Sequence, residues 1–339
     1  MKKERKHITH NRILFAVKFL YLTLVIISLI IVFLYIAFKV FVSPPPIDNI
    51  DKKTTVSQEN EAPETSISKK ERKDRSYTFL LVASDKSGAL ADVIMLVNYD
   101  VLNQNVGMVS IPRDTLVDPN HIASFPKINS SYKGDITNIK AIVTDMLGIP
   151  IDFYITVDID GFVKLIDSIG GVDFNVPVHM AYDDPAQNLS IHYEPGMQHL
   201  TGQQALEVCR LRYNQDGTLA YADYDVGRTN TQRALLMAVA KKVLKHPEKI
   251  QSYTKIWTEY VDTDLTIANI LWFAEAAMHC DLSNSVKSIA LPGDGNVTCD
   301  GIKYCYQLYP DQVLDIINEY INPYTQDLAL NDLNIYQVK

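Results

Sequence analysis

Residues 19–38, FLYLTLVIISLIIVFLYIAF, form an uninterrupted apolar run with no charge, proline or glycine. At 1.5 Å per residue, a helix of that length spans about 30 Å, the hydrocarbon thickness of a bilayer. A buried core helix would carry polar interruptions along one face. A cleaved leader would have a run of only ~7–15 residues followed by a small-residue cleavage site. The run therefore predicts a membrane-spanning signal anchor over 19–38. Lys2, Lys3, Arg5, Lys6 and Arg12 precede it, and the positive-inside rule assigns the basic residues 1–18 to the cytoplasm and everything after the run to the outside.

The charge is unevenly spread. Residues 1–42 carry +6, and the other 297 residues carry −14. An acidic body argues against a duplex nucleic-acid partner, whose binding rests largely on phosphate neutralisation. With 47% apolar and 21% charged residues, the chain has the composition of a folded protein. Its four cysteines include no C-x-x-C pair, which argues against thiolate metal sites and a disulfide scaffold. Residues 39–76 include Ser43-Pro44-Pro45-Pro46 followed by a mixture of Lys, Glu, Asp, Ser and Thr, the composition of an extended stalk that lifts a domain off the membrane.

Short apolar, β-prone runs begin at Tyr77 and recur at 92–99, 106–111, 153–157 and 172–176. Helical periodicity covers 136–147, 161–169, 202–208 and 228–245. Strands alternating with helices predict an α/β fold, a layered αβα sandwich around a central mixed sheet, over residues 77–247. Residues 248–339 read as a mainly helical C-terminal extension packed on the same domain, with one further strand at 286–291. Cys299 and Cys305, six apart, are positioned for a loop-closing disulfide, and Cys209 either packs as a small apolar residue or pairs with Cys280.

Arginines recur within short polar motifs: SIPRDT at 110–115, CRLRY at 209–213 and DVGRTNTQ at 225–232. Arg113 follows a predicted strand, and α/β proteins bind ligands in the crevice beyond the carboxyl ends of their strands. In an extended backbone Arg210 and Arg212 point to one face. Arg228 and Gln232, four apart, share a helix face. Guanidinium is permanently charged and grips phosphate oxygens bidentately, so the four arginines form a candidate polyanion clamp. Asp85 ends the first predicted strand and Asp92 begins the next. The pair is either a Mg²⁺ site completed by substrate phosphates or ordinary turn chemistry. His179, His192 and His199 match no metal-ligand spacing.

LLVASDKSGALADVIMLV at 80–97, SIPRDT, KINSSY at 127–132, GIPIDFYITVDIDGFVKLIDSIGGVDFNVP at 148–177, GMQHLTGQQALEVCRLRY at 196–213 and DVGRTNTQ together resemble the LytR-CpsA-Psr family, in the family's order and with its anchor and stalk. The resemblance implies an extracytoplasmic phosphotransferase of a mainly Gram-positive bacterium, held in the cell membrane as a single-pass type II protein. Such enzymes move a glycopolymer, of the teichoic acid or capsular polysaccharide type, from undecaprenyl diphosphate to a muramic acid hydroxyl of peptidoglycan. Carried over by motif, Asp85 and Asp92 hold Mg²⁺, and Arg113, Arg210, Arg212, Arg228 and Gln232 grip the diphosphate. Asp225 orients an arginine or helps to deprotonate the acceptor, and with Arg113 and Arg228 makes up the expected catalytic set. Long apolar faces would house the polyprenyl chain of the donor.

Two positions depart from the family pattern. Leu90 stands where an arginine is usual, and Thr231 replaces the second arginine of GR-x-x-RQ, with Arg233 the nearest substitute. These departures keep two rivals open, a polyprenyl-diphosphate hydrolase and a non-catalytic lipid-carrier or glycan-binding regulator of wall assembly. A thiolate nucleophile at Cys209 lacks a recognisable base.

Overall fold

Residue parity divides the first strand between two cores. In β1 (Ser76–Ser84), Leu80 and Val82 face one layer and Tyr77 and Phe79 the other, as the period of two requires. The computed structural model describes residues 27–33, 42–47, 70–84, 90–118, 126–187, 189–211, 213–218, 220–221, 225–246, 249, 253, 259–282 and 284–338. β1 pairs antiparallel with β2 (Ala91–Asp100), which pairs antiparallel with β3 (Asn105–Ile111). On its other side β1 runs parallel to β4 (Phe153–Val157).

β9 (Val261–Thr263) and β10 (Val286–Ala290) close the edges, giving the order β10-β3-β2-β1-β4-β9 in a mixed six-stranded sheet. The fold is the expected layered sandwich. One face is covered by α1 (Ile136–Leu147) through Ile139, Val143 and Leu147, together with Val313 of α6 (Pro310–Ile316) and the following Ile317 and Ile321. On the opposite face, α5 (Ile267–Ala277) lays Trp272 and Phe273 against Tyr77 and Phe79, with ring centroids 5.0–5.7 Å apart in edge-on contacts.

α2 (Ile159–Ser168), α3 (Gly202–Arg210) and α4 (Asp225–Leu244) build a second core with two small hairpin-like ribbons. β5 (Val172–Val176) pairs with β8 (Gly196–Leu200), and β6 (Met180–Asp184) with β7 (Leu189–Tyr193). The helices cover the half of the sheet that α5 leaves open.

Three expectations change. Parts of the expected stalk belong to the folded body: Val42 is buried, Pro45 O accepts from Tyr77 Oη at 2.9 Å, and Arg72 forms a buried ion pair with Asp152 at 2.8 Å. Ile47 packs on the aromatic cluster under α5, whose apolar surface holds this part of the segment. The C-terminal extension is not mainly helical, because β10 completes the sheet and β11 (Gly293–Cys299) pairs with β12 (Ile302–Leu308). All four cysteines are free thiols. Cys299 and Cys305 pack beside Leu116, whereas Cys209 and Cys280 lie in different surroundings, the first within the second core and the second against Gln104.

Among the described residues no helix is long and apolar enough to cross a membrane. Of the apolar run, residues 27–33 are described; they are helical, with Leu29, Ile31 and Phe33 exposed.

Candidate functional site

The sheet face that α5 leaves open becomes the wall of a cavity. Leu81, Val93, Met95, Ile155 and Val157 line one side of this space of about 970 Å³, and Phe162, Leu165, Leu236, Val239 and Val243 of the helices line the other. Its walls are overwhelmingly apolar. At one end it meets a smaller, more polar pocket of about 360 Å³. Asp92, Arg113, Arg210, Gln232, Leu189 and Cys209 line both spaces, and Arg228 lines the polar one.

Apart from Gln232, the polar side chains at this junction come from the ends of elements or the turn beside them. Arg113 leaves β3 in a tight turn closed by Thr115 N to Pro112 O (2.9 Å). Its Nη1 donates to Asp92 Oδ1 at 2.8 Å, and its buried Nε makes no hydrogen bond. The turn is held from behind: Asp114 receives Lys127 Nζ at 3.1 Å, Lys127 also donates to Tyr304 O, and Tyr306 N of β12 donates to Asp114 O. The β11–β12 hairpin thus fixes the loop that presents Arg113.

Helix α4 contributes one face. Arg228 and Gln232 stand in the polar pocket, and Leu236, Val239 and Val243 continue the same stripe into the apolar cavity, as helical periodicity demands. Gln232 Nε2 donates to Cys209 O at 3.2 Å, tying α4 to the end of α3. Arg228 is buried, and a Cβ on the neighbouring Gly227 would lie 2.4 Å from Tyr221 Cβ, so the first turn of α4 needs glycine there.

Arg113, Arg210, Arg228, Gln232 and Asp92 therefore converge. Arg210 arrives as the last residue of α3 rather than from the extended backbone expected of it. Asp85 and Arg212 lie outside the described residues, and Asp225 begins α4 with a side chain that is likewise outside them. Leu90 sits exposed on the cavity's rim.

Arg233 does not replace an arginine at position 231. It is buried on the other side of α4, donating from Nη1 to Ser110 Oγ at 3.3 Å and from Nη2 to Asn230 Oδ1. Burial also pushes the Cys209 thiol up to about 12, against the pull of Arg228. A thiol so raised stays protonated at neutral pH and makes no nucleophile.

Mg²⁺ takes oxygen ligands and is commonly held by one or two carboxylates together with substrate phosphates. Asp92 offers such a carboxylate at the junction, with 43% of its side chain exposed. Among the described residues no group of three or more His, Cys, Asp and Glu gathers anywhere. The donor set fits an ion that depends on substrate oxygens.

Sequence reasoning missed the aromatic rim of the polar pocket. Tyr182 of β6 and Tyr213, just beyond α3, meet edge to face with centroids 5.5 Å apart. The alternation of Leu189, Ser190, Ile191 and His192 in β7 was the available signal for this ribbon.

The LytR_cpsA_psr family model matches residues 47–321. The chain belongs to that family. The polyisoprenyl-teichoic acid–peptidoglycan teichoic acid transferase TagU of Bacillus mycoides is 31% identical over 267 residues, 77% of this chain and 82% of that protein. The crystal structure of Bacillus subtilis TagV superposes with a TM-score of 0.61 at 25% identity, covering 72% of this chain and 95% of that one. A structure described as TagT bound to LI-WTA shares the fold, with a TM-score of 0.57 at 21% identity, covering 77% and 91%.

Proposed function

We propose that this protein transfers a glycopolymer from a polyprenyl diphosphate carrier to peptidoglycan. The observation that carries the reading is the junction itself: an apolar cavity of about 970 Å³ ends where Arg113, Arg210, Gln232 and Asp92 meet a polar pocket that also holds Arg228. A polyprenyl diphosphate has this division of character, a long hydrocarbon joined to a compact dianion. The family relatives named as teichoic acid transferases support the same donor and acceptor classes.

In this reading the acceptor hydroxyl attacks the phosphorus that bears the glycan. The bond from that phosphorus to the bridging oxygen breaks, polyprenyl phosphate leaves, and a phosphodiester joins glycan to wall. The arginines hold the phosphates in line and neutralise charge that develops on the leaving oxygen, the main work of phosphoryl-transfer sites. Asp225 is the proposed acceptor of the hydroxyl proton. Asp92 would hold Mg²⁺ with the substrate phosphates, and when bound the ion would supply further charge neutralisation. The helical stretch at 27–33, with its exposed apolar side chains, supports an anchor over 19–38 that keeps the enzyme beside its lipid-borne donor.

The test is a turnover assay on the full chain in detergent, with a polyprenyl-diphosphate glycan, Mg²⁺ and peptidoglycan. Arg113→Ala and Arg228→Ala should each lower kcat/KM by about 10²–10³-fold, as loss of an electrostatic contact to the transition state does. Polyprenyl phosphate released without wall-linked glycan would instead identify a hydrolase. Tight donor binding without product would identify a carrier.

A further inference from the structure

A diphosphate joins its lipid to its glycan, so the two leave it in different directions. The inference below rests on the proposed function, in which the hydrocarbon takes the apolar cavity and the diphosphate the arginine junction. The glycan must then emerge through the other space, the polar pocket of about 360 Å³. Leu189 and Ile191 line this pocket with Leu211, and Tyr182 and Tyr213 stand at its rim.

Tyr213 is held in place although it faces solvent, and Tyr182 beside it is half-buried against the second core. Tyr213 is 48% exposed. The segment carrying it is stitched to β6 by Gln215 N donating to Ala181 O (2.7 Å), Ala181 N donating to Asn214 Oδ1 (2.9 Å) and Asp183 N donating to Gln215 Oε1 (3.0 Å). Tyr182 is opposite Ile191 in the β6–β7 register. Backed edge to face by the half-buried Tyr182, a rigidly held, exposed Tyr213 ring beside a charged pocket has little structural purpose, since it fills no core. It has the chemistry of a sugar platform, in which the weakly positive C–H face of a pyranose lies on the negative face of a ring and a phenolic hydroxyl reaches the sugar's own hydroxyls.

We propose that Tyr182 and Tyr213 form the subsite for the first sugar of the donor, the one bonded to the diphosphate. The pair would select for a glycosylated carrier over the bare polyprenyl diphosphate and hold the reactive phosphorus in register with the arginines. An acceptor sugar offers similar chemistry, so the test separates the two sources.

The experiment is isothermal titration of the full chain in detergent with three probes: undecaprenyl diphosphate, undecaprenyl diphosphate carrying one N-acetylglucosamine, and a disaccharide muropeptide. Tyr213→Ala and Tyr182→Ala should weaken the glycosylated lipid about tenfold while leaving the bare diphosphate unchanged, and Tyr213→Phe should keep most of the affinity because the ring remains. An equal loss for both lipids, no loss for either, or a loss confined to the muropeptide would overturn the subsite. Failure of the wild-type chain to bind either lipid would overturn the proposed function and the subsite with it. Retention of lipid binding in Tyr213→Ala but without discrimination for the sugar would overturn neither the fold nor the arginine clamp, and is the result expected.

Discussion

Thr231 shows how a departure at one position can be absorbed. Its side chain is buried, with Oγ1 3.0 Å from the Tyr221 hydroxyl and 3.1 Å from Gly227 O. An arginine there would have to displace the Tyr221 ring, so the position serves packing rather than phosphate binding. Thr231→Val leaves the Tyr221 hydroxyl in a buried place without this contact and should lower stability by about 1–2 kcal/mol in urea unfolding. The double variant Thr231→Val, Tyr221→Phe should recover part of that loss, because removing both polar partners costs less than removing one. An additive loss would show that the two hydroxyls act independently. At this scale the arginines and Asp92 were legible because charged residues in short polar motifs stand out against an acidic chain. Arg233 was not, because nothing in the sequence distinguishes the cavity side of α4 from the side facing Ser110 until the helix is docked. Tyr182 and Tyr213 also escaped, since a tyrosine in a polar ribbon carries no local sign of exposure.

Elements with strong local signals were legible to the residue. α1 occupies 136–147 as expected: Asp135 caps it by accepting from Thr137 N at 2.8 Å, and Gly148 ends it with φ of 66°. The ribbons β5–β8, β6–β7 and β11–β12 were legible only in β5, because short two-stranded pairs combine weak alternation with polar side chains and are stabilised by what they pack against. The crossing of α2 and α3 depends on a different kind of signal. Gly202 begins α3 so close to α2 that a Cβ would lie 2.1 Å from Val163 O, and its N–H donates to Asp167 Oδ1 at 2.7 Å. Backbone cannot yield as a flexible side chain can. Gly202→Ala should therefore push the helices apart, cost about 1–3 kcal/mol and move Arg210 at the far end of α3. Thermal unfolding and donor titration on the same variant check both effects. A destabilised protein with unaltered donor affinity would mean that Gln232 and Cys209 hold the end of α3 independently of its start.

Across the whole molecule, burial of titratable groups sets a limit on alkaline stability. Burial pushes the Cys209 thiol from 9.0 up to about 12, and the hydroxyls of Tyr77 and Tyr99 from 10.0 up to about 12. Cys209 lies in the helical core, whereas Tyr77 and Tyr99 sit opposite each other across β1 and β2 at the aromatic face under α5. In each case the folded protein favours the neutral form, so the unfolded chain releases its protons first as pH rises. Their contribution to stability is complete below about pH 9 and is lost between there and pH 12. Urea midpoints should accordingly stay level from pH 7 to about 9 and then fall. Tyr77→Phe removes one of the titrations, together with the hydrogen bond to Pro45 O; it should start from a lower midpoint and fall less steeply. A midpoint already declining below pH 8 would point to other groups as the cause. A Tyr77→Phe slope identical to that of the unaltered chain would show that the phenol titrates alike in the folded and unfolded chains.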